Sequence, residues 1–380
     1  MKYFIVLLTL FVTTALLAED YYPPRGEWQT RDAGKMGFDT EALQVAIDYA
    51  LANEYSGDRD LRRAILKGFS HEPFHEILGP TRKRGGPAGL ILKEGYIVAQ
   101  WGDVNRVDMT FSVTKSYLST VAGLAVDEGL IETSDLLADS IWSGEFAGEH
   151  NRQISWAHLL NQSSDWSGEL FGIKDWADRP PKEGGLDDWK FRELHKPGTQ
   201  YEYNDVRVNL LAYALLHTWR KPLPMVLKER LMDPIGASTT WRWFGYEDAW
   251  VVVDGVKMKS VTGGGHLGGG VFISSLDQAR FGLLFEREGQ WDGKQIISKA
   301  WIKEATTSSP TNPRYGYMWW LNKGDRKWPG VADESIFYGS GFGGNYVIVD
   351  QSNDLVVITR WLEPRQLGEF MQRLYQSLDE

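Results

Sequence analysis

Ser112 and Lys115 stand three residues apart in Thr110-Phe111-Ser112-Val113-Thr114-Lys115-Ser116-Tyr117-Leu118, where an apolar run turns helical. Residues at that spacing share a helix face with Cβ atoms roughly 5–6 Å apart, so the lysine ammonium reaches the serine hydroxyl. In a first helical turn the pair also feels the positive end of the dipole, which favours an alkoxide and discourages a protonated lysine. That is the chemistry of a nucleophile and its activator. A chain of this length contains about one Ser-x-x-Lys by chance, so the weight rests on the surroundings.

Two further segments carry complementary chemistry. In Pro197-Gly198-Thr199-Gln200-Tyr201-Glu202-Tyr203-Asn204-Asp205, a turn enters a helix, and a phenol near an ammonium has its anion favoured, so Tyr203 is a candidate to take the proton of Ser112 and return it to a leaving group. In Tyr338-Gly339-Ser340-Gly341-Phe342-Gly343-Gly344-Asn345, glycines between strands let an edge amide approach a substrate carbonyl as an oxyanion donor. His266 lies inside Gly263-Gly264-Gly265-His266-Leu267-Gly268-Gly269-Gly270 and is a candidate substrate contact or a hydrogen-bonded loop histidine. Among the 17 tryptophans, Trp166 and Trp176 are the cleft candidates by position, although large aromatics mostly supply packing area.

One motif is set aside. His71-Glu72-Pro73-Phe74-His75 has the spacing of a zinc-protease helix, but Pro73 removes a donor and clashes with the preceding turn at about 3 kcal/mol. A surface loop is expected there, and no metal.

The elements that must position these groups are legible from periodicity. Phe38 to Asn53 reads as a capped amphipathic helix, and Gly89 to Trp101 as a hairpin on Glu94-Gly95. From Val113 the apolar spacing of Tyr117, Leu118, Val121, Ala122, Leu124 and Ala125 is helical, with Gly129 as the stop, so Ser112 falls at a helix start. Helices are expected over 154–161, 204–219, 224–231 and from Ser274 to Phe285; a hairpin on Asp254-Gly255; strands over 315–321, 335–338, 345–350 and 355–361; and a final helix from Leu367. Strands, then helices, then strands describe an α/β domain built from both ends around a helical insertion.

Composition excludes some partners. A net charge of −10 leaves no basic excess for nucleic acid or anionic membranes, so a small neutral or cationic ligand is expected. Met1-Lys2-Tyr3 followed by apolar Phe4 to Ala18 fits a secretory signal peptide cut after Ala18, or Ala15, better than an uncleaved anchor. Zero cysteines mean that an exported product needs no disulfide.

Taken in order, these segments resemble the serine hydrolases of the β-lactamase-like superfamily: class C β-lactamases, D,D-peptidases, family VIII esterases and 6-aminohexanoate-dimer hydrolases. His158 to Trp166, Gly268 to Gly282 and Trp291-Asp292-Gly293-Lys294 extend the likeness over roughly Pro87 to Trp361. The resemblance implies a β-lactamase/transpeptidase-like α/β (α+β) fold, an antiparallel sheet flanked by helices with an inserted helical domain. After the signal peptide (1–18), residues 19–110 and 281–380 would form the sheet domain and 111–280 the insertion. It implies acylation of Ser112, proton handling by Lys115 and Tyr203, an oxyanion hole of the Ser112 and Phe342 amides, and no cofactor.

The departures bear on substrate. Where the family commonly has Tyr-x-Asn, Tyr203-Asn204-Asp205 puts a carboxylate beside Lys115 that would hold it protonated and shift the base role to Tyr203. Where β-lactamases and peptidases carry Lys-Thr-Gly or His-Thr-Gly, Gly339-Ser340-Gly341 lacks the cation that meets a substrate carboxylate. An exported esterase or amidase acting on a small molecule is expected, contacted by Asp205, His266, Gly339, Ser340, Gly341 and Trp166. The alternatives are a β-lactamase or D,D-peptidase, or a silent ligand-binding protein of the same fold.

Overall fold

The computed structural model describes residues 20–181, 184–324, 327–331 and 334–379. The expected signal peptide lies outside the described residues. Among those described, no helix is long and apolar enough to cross a membrane.

A six-stranded antiparallel sheet is assembled from both ends of the chain. Its strands are β1 (Ala88–Lys93), β2 (Tyr96–Trp101), β3 (Trp320–Leu321), β4 (Phe337–Gly341), β5 (Asn345–Asp350) and β6 (Leu355–Arg360), in the order β3-β4-β5-β6-β1-β2. Side chains alternate between the faces. Ile91, Ile348 and Val357 point to one side, where helices α1 (Thr40–Ala52) and α5 (Leu367–Gln376) cover them. Leu90, Val347, Val356 and Ile358 point to the other, into the larger core. Both faces are covered, which is why β5 and β6 are buried along their whole length and read as continuous apolar runs. Each such Val, Leu or Ile contributes about 1.5–3 kcal/mol on burial.

The larger core joins the sheet to the helical region. It is crossed by α2 (Thr114–Asp127), α3 (Asp205–Trp219) and α4 (Ser275–Glu286). α4 lies directly on the sheet, because Gly282 leaves no side chain between it and Val356. It begins at Ser275, so it spans the expected domain boundary at residue 281 and packs with the sheet. A second sheet, Asp108–Met109 with Gly270–Ile273 and Arg242–Phe244, lies between the two regions. Arg360 ends β6 with its guanidinium buried and donates to the Ile273 carbonyl (2.8 Å), tying the sheets together.

The hairpins turn on Glu94-Gly95 and Asp254-Gly255 as expected, with positive φ at all four residues. The strand expected over 315–321 is reduced to Trp320–Leu321, because Met318 takes a left-handed backbone (φ 63°) that breaks the extended run.

Candidate active site

The nucleophile segment is held from three sides. Thr110 donates its amide to the Val271 carbonyl (2.9 Å), fixing the chain where the second sheet ends. Phe111 then adopts φ 51°, an unfavourable conformation for a side-chain-bearing residue, with its ring packed on Phe342 (5.1 Å between centroids) and Trp361 (6.4 Å). A single 3-10 turn, Phe111–Val113, leads into α2. Ser112 is half-buried, while the α2 residues from Thr114 to Ala125 are buried. On the fourth side β4 presses so close that any side chain at Gly341 would collide with the Thr110 carbonyl.

Lys115 is fully enclosed, and its Nζ donates to Ser112 Oγ at 2.9 Å. The same ammonium is ion-paired with Asp205 Oδ1. Asp205 opens α3 behind the cap residue Asn204, whose side chain accepts the Arg207 amide (3.0 Å). Gly264 closes the roof: a Cβ there would strike both the Asp205 carboxylate and the Lys115 ammonium. The glycine-rich loop is thus a lid of bare backbone over a buried ion pair.

The electrostatics follow from this enclosure. Burial opposes the Lys115 charge, but Asp205 and then Tyr203 outweigh it, so its pKa is raised. Burial likewise opposes the Asp205 charge, yet Lys115 and then Arg179 hold its carboxyl far below the usual range. The pair is therefore ionised. The Tyr203 ring lies with its centroid 4.7 Å from Lys115 Nζ and 5.1 Å from Arg179 Cζ, stacked against Trp320 at 6.1 Å. No hydrogen bond joins its hydroxyl to Ser112 among the described residues.

The Ser112 and Phe342 amides, the expected oxyanion pair, have no acceptor among the described residues. Ser112 lies at the start of a helical turn, where amides have no intrahelical acceptor. Phe342 follows β4 at a hairpin whose turn is closed by Gly344 donating to Gly341 (3.2 Å). Neither amide donates to another described residue, and the two residues' neighbours are in contact through Gly341 and Thr110.

Several expected substrate contacts lie elsewhere. Asp205 is 2% exposed and serves Lys115 and Arg179 rather than an open cleft. Trp166 is 1% exposed, its indole donating to the Glu145 carbonyl (2.6 Å), so it is core. His266 is 5% exposed and is a hydrogen-bonded loop residue, held by Glu72 and Arg179. A Cβ at Gly339 would sit 2.9 Å from Ser116 Oγ, so that glycine faces the nucleophile helix and leaves no room for a cation. Ser340, pointing the other way, is half-buried. Trp176 is partly buried beside Lys190 (4.8 Å from Nζ to the ring).

Sequence reasoning misses Arg179, Asp178 and Glu72. Arg179 Nη1 lies 2.7 Å from Asp205 Oδ2 and 2.6 Å from Asp178 Oδ1, and it is the cation that stands beside Tyr203 together with Lys115. Its one signal is Asp178-Arg179-Pro180-Pro181, an ion-pairing dipeptide ahead of two prolines in a loop. Glu72 sits within the His71-to-His75 motif. That segment is the expected loop with both histidines exposed, but its glutamate is buried.

The comparisons with known proteins bear on the family and the fold. The family model described as Beta-lactamase matches residues 98–360. The chain is 24% identical over 308 residues to the 6-aminohexanoate-dimer hydrolase of Paenarthrobacter ureafaciens, covering 73% of each protein. Among solved structures it is similar to a family VIII carboxylesterase, with a TM-score of 0.58 at 17% identity over 90% of this chain and 99% of that one. It is also similar to an octameric penicillin-binding protein homologue from Pyrococcus abyssi, with a TM-score of 0.56 at 16% identity over 77% and 74% of the two chains.

Proposed function

Because the chain belongs to the beta-lactamase family, we propose that it is a serine hydrolase that cleaves a small ester or amide through an acyl-enzyme on Ser112. The observation that carries this reading is Lys115 Nζ at 2.9 Å from Ser112 Oγ, with Asp205 holding the lysine in its ionised form. An ammonium so held is a poor proton acceptor and a good electrostatic partner for an alkoxide. The base assigned to the Ser112 proton is the Tyr203 oxygen in its deprotonated form, on a ring that lies 4.7 Å from Lys115 Nζ and 5.1 Å from Arg179 Cζ. Ser112 Oγ bonds to the substrate carbonyl carbon, and the carbonyl oxygen takes up negative charge between the Ser112 and Phe342 amides. Tyr203 returns the proton to the departing alcohol or amine. Water then cleaves the acyl-serine by the same route, restoring the hydroxyl.

Two observations narrow the substrate. The Gly339 position, closed by Ser116, supports no carboxylate anchor of the Lys-Thr-Gly kind, which disfavours penicillins and D-alanyl peptides. The likeness to a 6-aminohexanoate-dimer hydrolase and a family VIII carboxylesterase supports amides and esters alike. The Phe4-to-Ala18 run supports export to a periplasmic or extracellular space.

The test is a fluorophosphonate label together with a panel of nitrophenyl esters, short amides, β-lactams and D-amino-acid peptides. Wild type is expected to label at one serine and to turn over an ester or amide, with both lost in Ser112→Ala. A folded wild type that does not label sinks the enzymatic reading, and turnover unchanged by Ser112→Ala belongs to another protein.

A further inference from the structure

The loop with the spacing of a zinc motif, but a proline inside it, delivers its glutamate to the back of the catalytic ion pair. We propose that Glu72 and His266 are positioning residues of this site, a buried dyad that anchors Asp205 and Arg179 from behind and so fixes the Lys115 ammonium against Ser112. The proposal rests on the hydrolase reading above and adds two groups to it.

The two loops that carry the dyad are zipped together. Leu78 and Gly79 both donate to the Leu267 carbonyl (2.9 and 3.1 Å), and Gly269 donates to the Pro80 carbonyl (2.9 Å). Glu72 is thereby held 3% exposed, with Oε2 2.6 Å from His266 Nε2. The Phe69 ring packs on the imidazole at 3.9 Å between centroids and fixes its plane. The other ring nitrogen, Nδ1, lies 3.0 Å from Arg179 Nη2 and 3.5 Å from Asp205 Oδ2. Asp178 Oδ1 stands 3.4 Å from Nε2. A continuous path therefore runs from Ser112 through Lys115, Asp205 and Arg179 to His266 and Glu72.

The hydrogen bonds set the imidazole's state. A guanidinium only donates, so Nδ1 accepts from Arg179, and Nε2 carries the proton that is donated to Glu72. With His266 neutral, the cluster holds three carboxylates, Glu72, Asp178 and Asp205, against two cations, Lys115 and Arg179. The surplus is one negative charge, buried within reach of Lys115. Among the described residues Glu72 Oε1 has no hydrogen-bond partner, so its carboxylate is not held by a ring of donors as an ordinary buried acid is. Its one bond orients His266, which orients Arg179, whose Nη1 takes the second oxygen of Asp205 and leaves the first for Lys115. Tyr203 and Tyr246 are the remaining titratable groups facing this cluster.

Three substitutions separate positioning from packing. Glu72→Gln keeps the shape and removes the surplus charge, so kcat is expected to fall roughly 10- to 100-fold with KM within about 2-fold. A lost negative charge lowers the pKa of a nearby ammonium, so the alkaline limb of kcat/KM moves to lower pH. His266→Gln lowers kcat by a similar factor without moving that limb, because it removes no net charge. Glu72→Asp restores the limb and part of the rate. Rates within about 2-fold of wild type in both Glu72→Gln and His266→Gln would overturn the proposal, as would a KM-only effect, which marks a substrate contact. If a variant loses its cooperative thermal transition, the reading passes to wild type, where the His266 imidazole resonances are expected to move when Ser112 is fluorophosphonate-labelled; unmoved resonances would overturn it. Glu72, Asp178 and His266 also bring donor atoms within 4.8 Å of one another. Loss of wild-type activity on chelation, restored by a divalent ion, would assign the cluster to a metal instead. A wild type that fails to label breaks the hydrolase reading; a wild type that labels while the variants keep full rate breaks only this one.

Discussion

Asp165 and Asp205 are two buried carboxylates with nearly the same exposure, 3% and 2%. Asp165 takes Arg192 on both oxygens, Arg207 Nη2 at 2.8 Å and the His195 amide at 2.6 Å. Burial would raise its pKa, but these partners hold it down to about 2. Asp205 is held down in the same sense by Lys115 and Arg179. The electrostatics are alike, and the partners are not. Arginine keeps its charge at every accessible pH and binds a carboxylate with a rigid fork, whereas a lysine is a compact point charge that can be aimed at a hydroxyl. Around Asp165 every partner is an arginine, a histidine or a backbone amide, and none touches a nucleophile. Around Asp205 a lysine reaches a half-buried serine. Burial and a lowered pKa mark both clusters, so neither property identifies a site; the hydroxyl within reach does.

The sharpest way to break this comparison is to exchange the cations. Lys115→Arg keeps the charge but not the point geometry, and kcat is expected to fall by about 10³ or more while the protein stays folded. Arg207→Lys in the other cluster is expected to leave kcat within about 2-fold and to cost roughly 1–3 kcal/mol of stability through lost donors to Asp165, Asp175, Glu202 and the Trp166 carbonyl. Rate measurements beside urea unfolding decide it. A rate loss of similar size in both exchanges would erase the distinction.

A smaller effect separates the clusters by pH. Asp165→Asn leaves Arg207 and Arg192 without their carboxylate and is expected to destabilise by about 3 kcal/mol at pH 7. Because the folded pKa of about 2 lies below the unfolded value near 3.9, this stabilisation is present above the unfolded pKa and is lost as pH falls through about 2. The gap between wild type and Asp165→Asn should therefore narrow steadily between roughly pH 5 and pH 2. A gap that is constant over that range would mean that the aspartate acts by shape and not by charge.

What is legible in the sequence is whatever is local. Ser112 and Lys115 share a helix face, Glu94-Gly95 and Asp254-Gly255 specify their turns, and Asp205 beside Tyr203 already implies a carboxylate next to the lysine. The glycine strand reads as a substrate wall, because a missing side chain looks like open space; the chain fills it with Ser116 and Thr110 instead. Trp166 suits a cleft by position, and its indole is in the core. The back of the site is not readable at all. Glu72 meets His266 across 194 positions, and Arg179 meets it across 87, from loops with no periodicity to place them. Contacts of that kind are set by two loops zipping together, and no spacing along the chain encodes it.

The smallest effect belongs to an ion pair on the surface. Arg373 and Glu369 lie one turn apart on α5, 2.6 Å between charged atoms, with side chains 35% and 42% exposed. By distance alone this pair is as good as those of Asp165. Water screens it, however, and holding two long side chains in one geometry offsets what Coulomb attraction remains, so exposed helical pairs at this spacing contribute about 0.3–0.5 kcal/mol. Glu369→Gln is expected to change unfolding free energy by no more than about 0.5 kcal/mol and to become indistinguishable from wild type near 1 M salt, where the Debye length falls to about 3 Å. A salt-independent loss above roughly 1 kcal/mol would show that short distance, without burial, suffices to make a carboxylate structural, and the contrast between Asp165 and Asp205 would then have to be drawn from the serine alone.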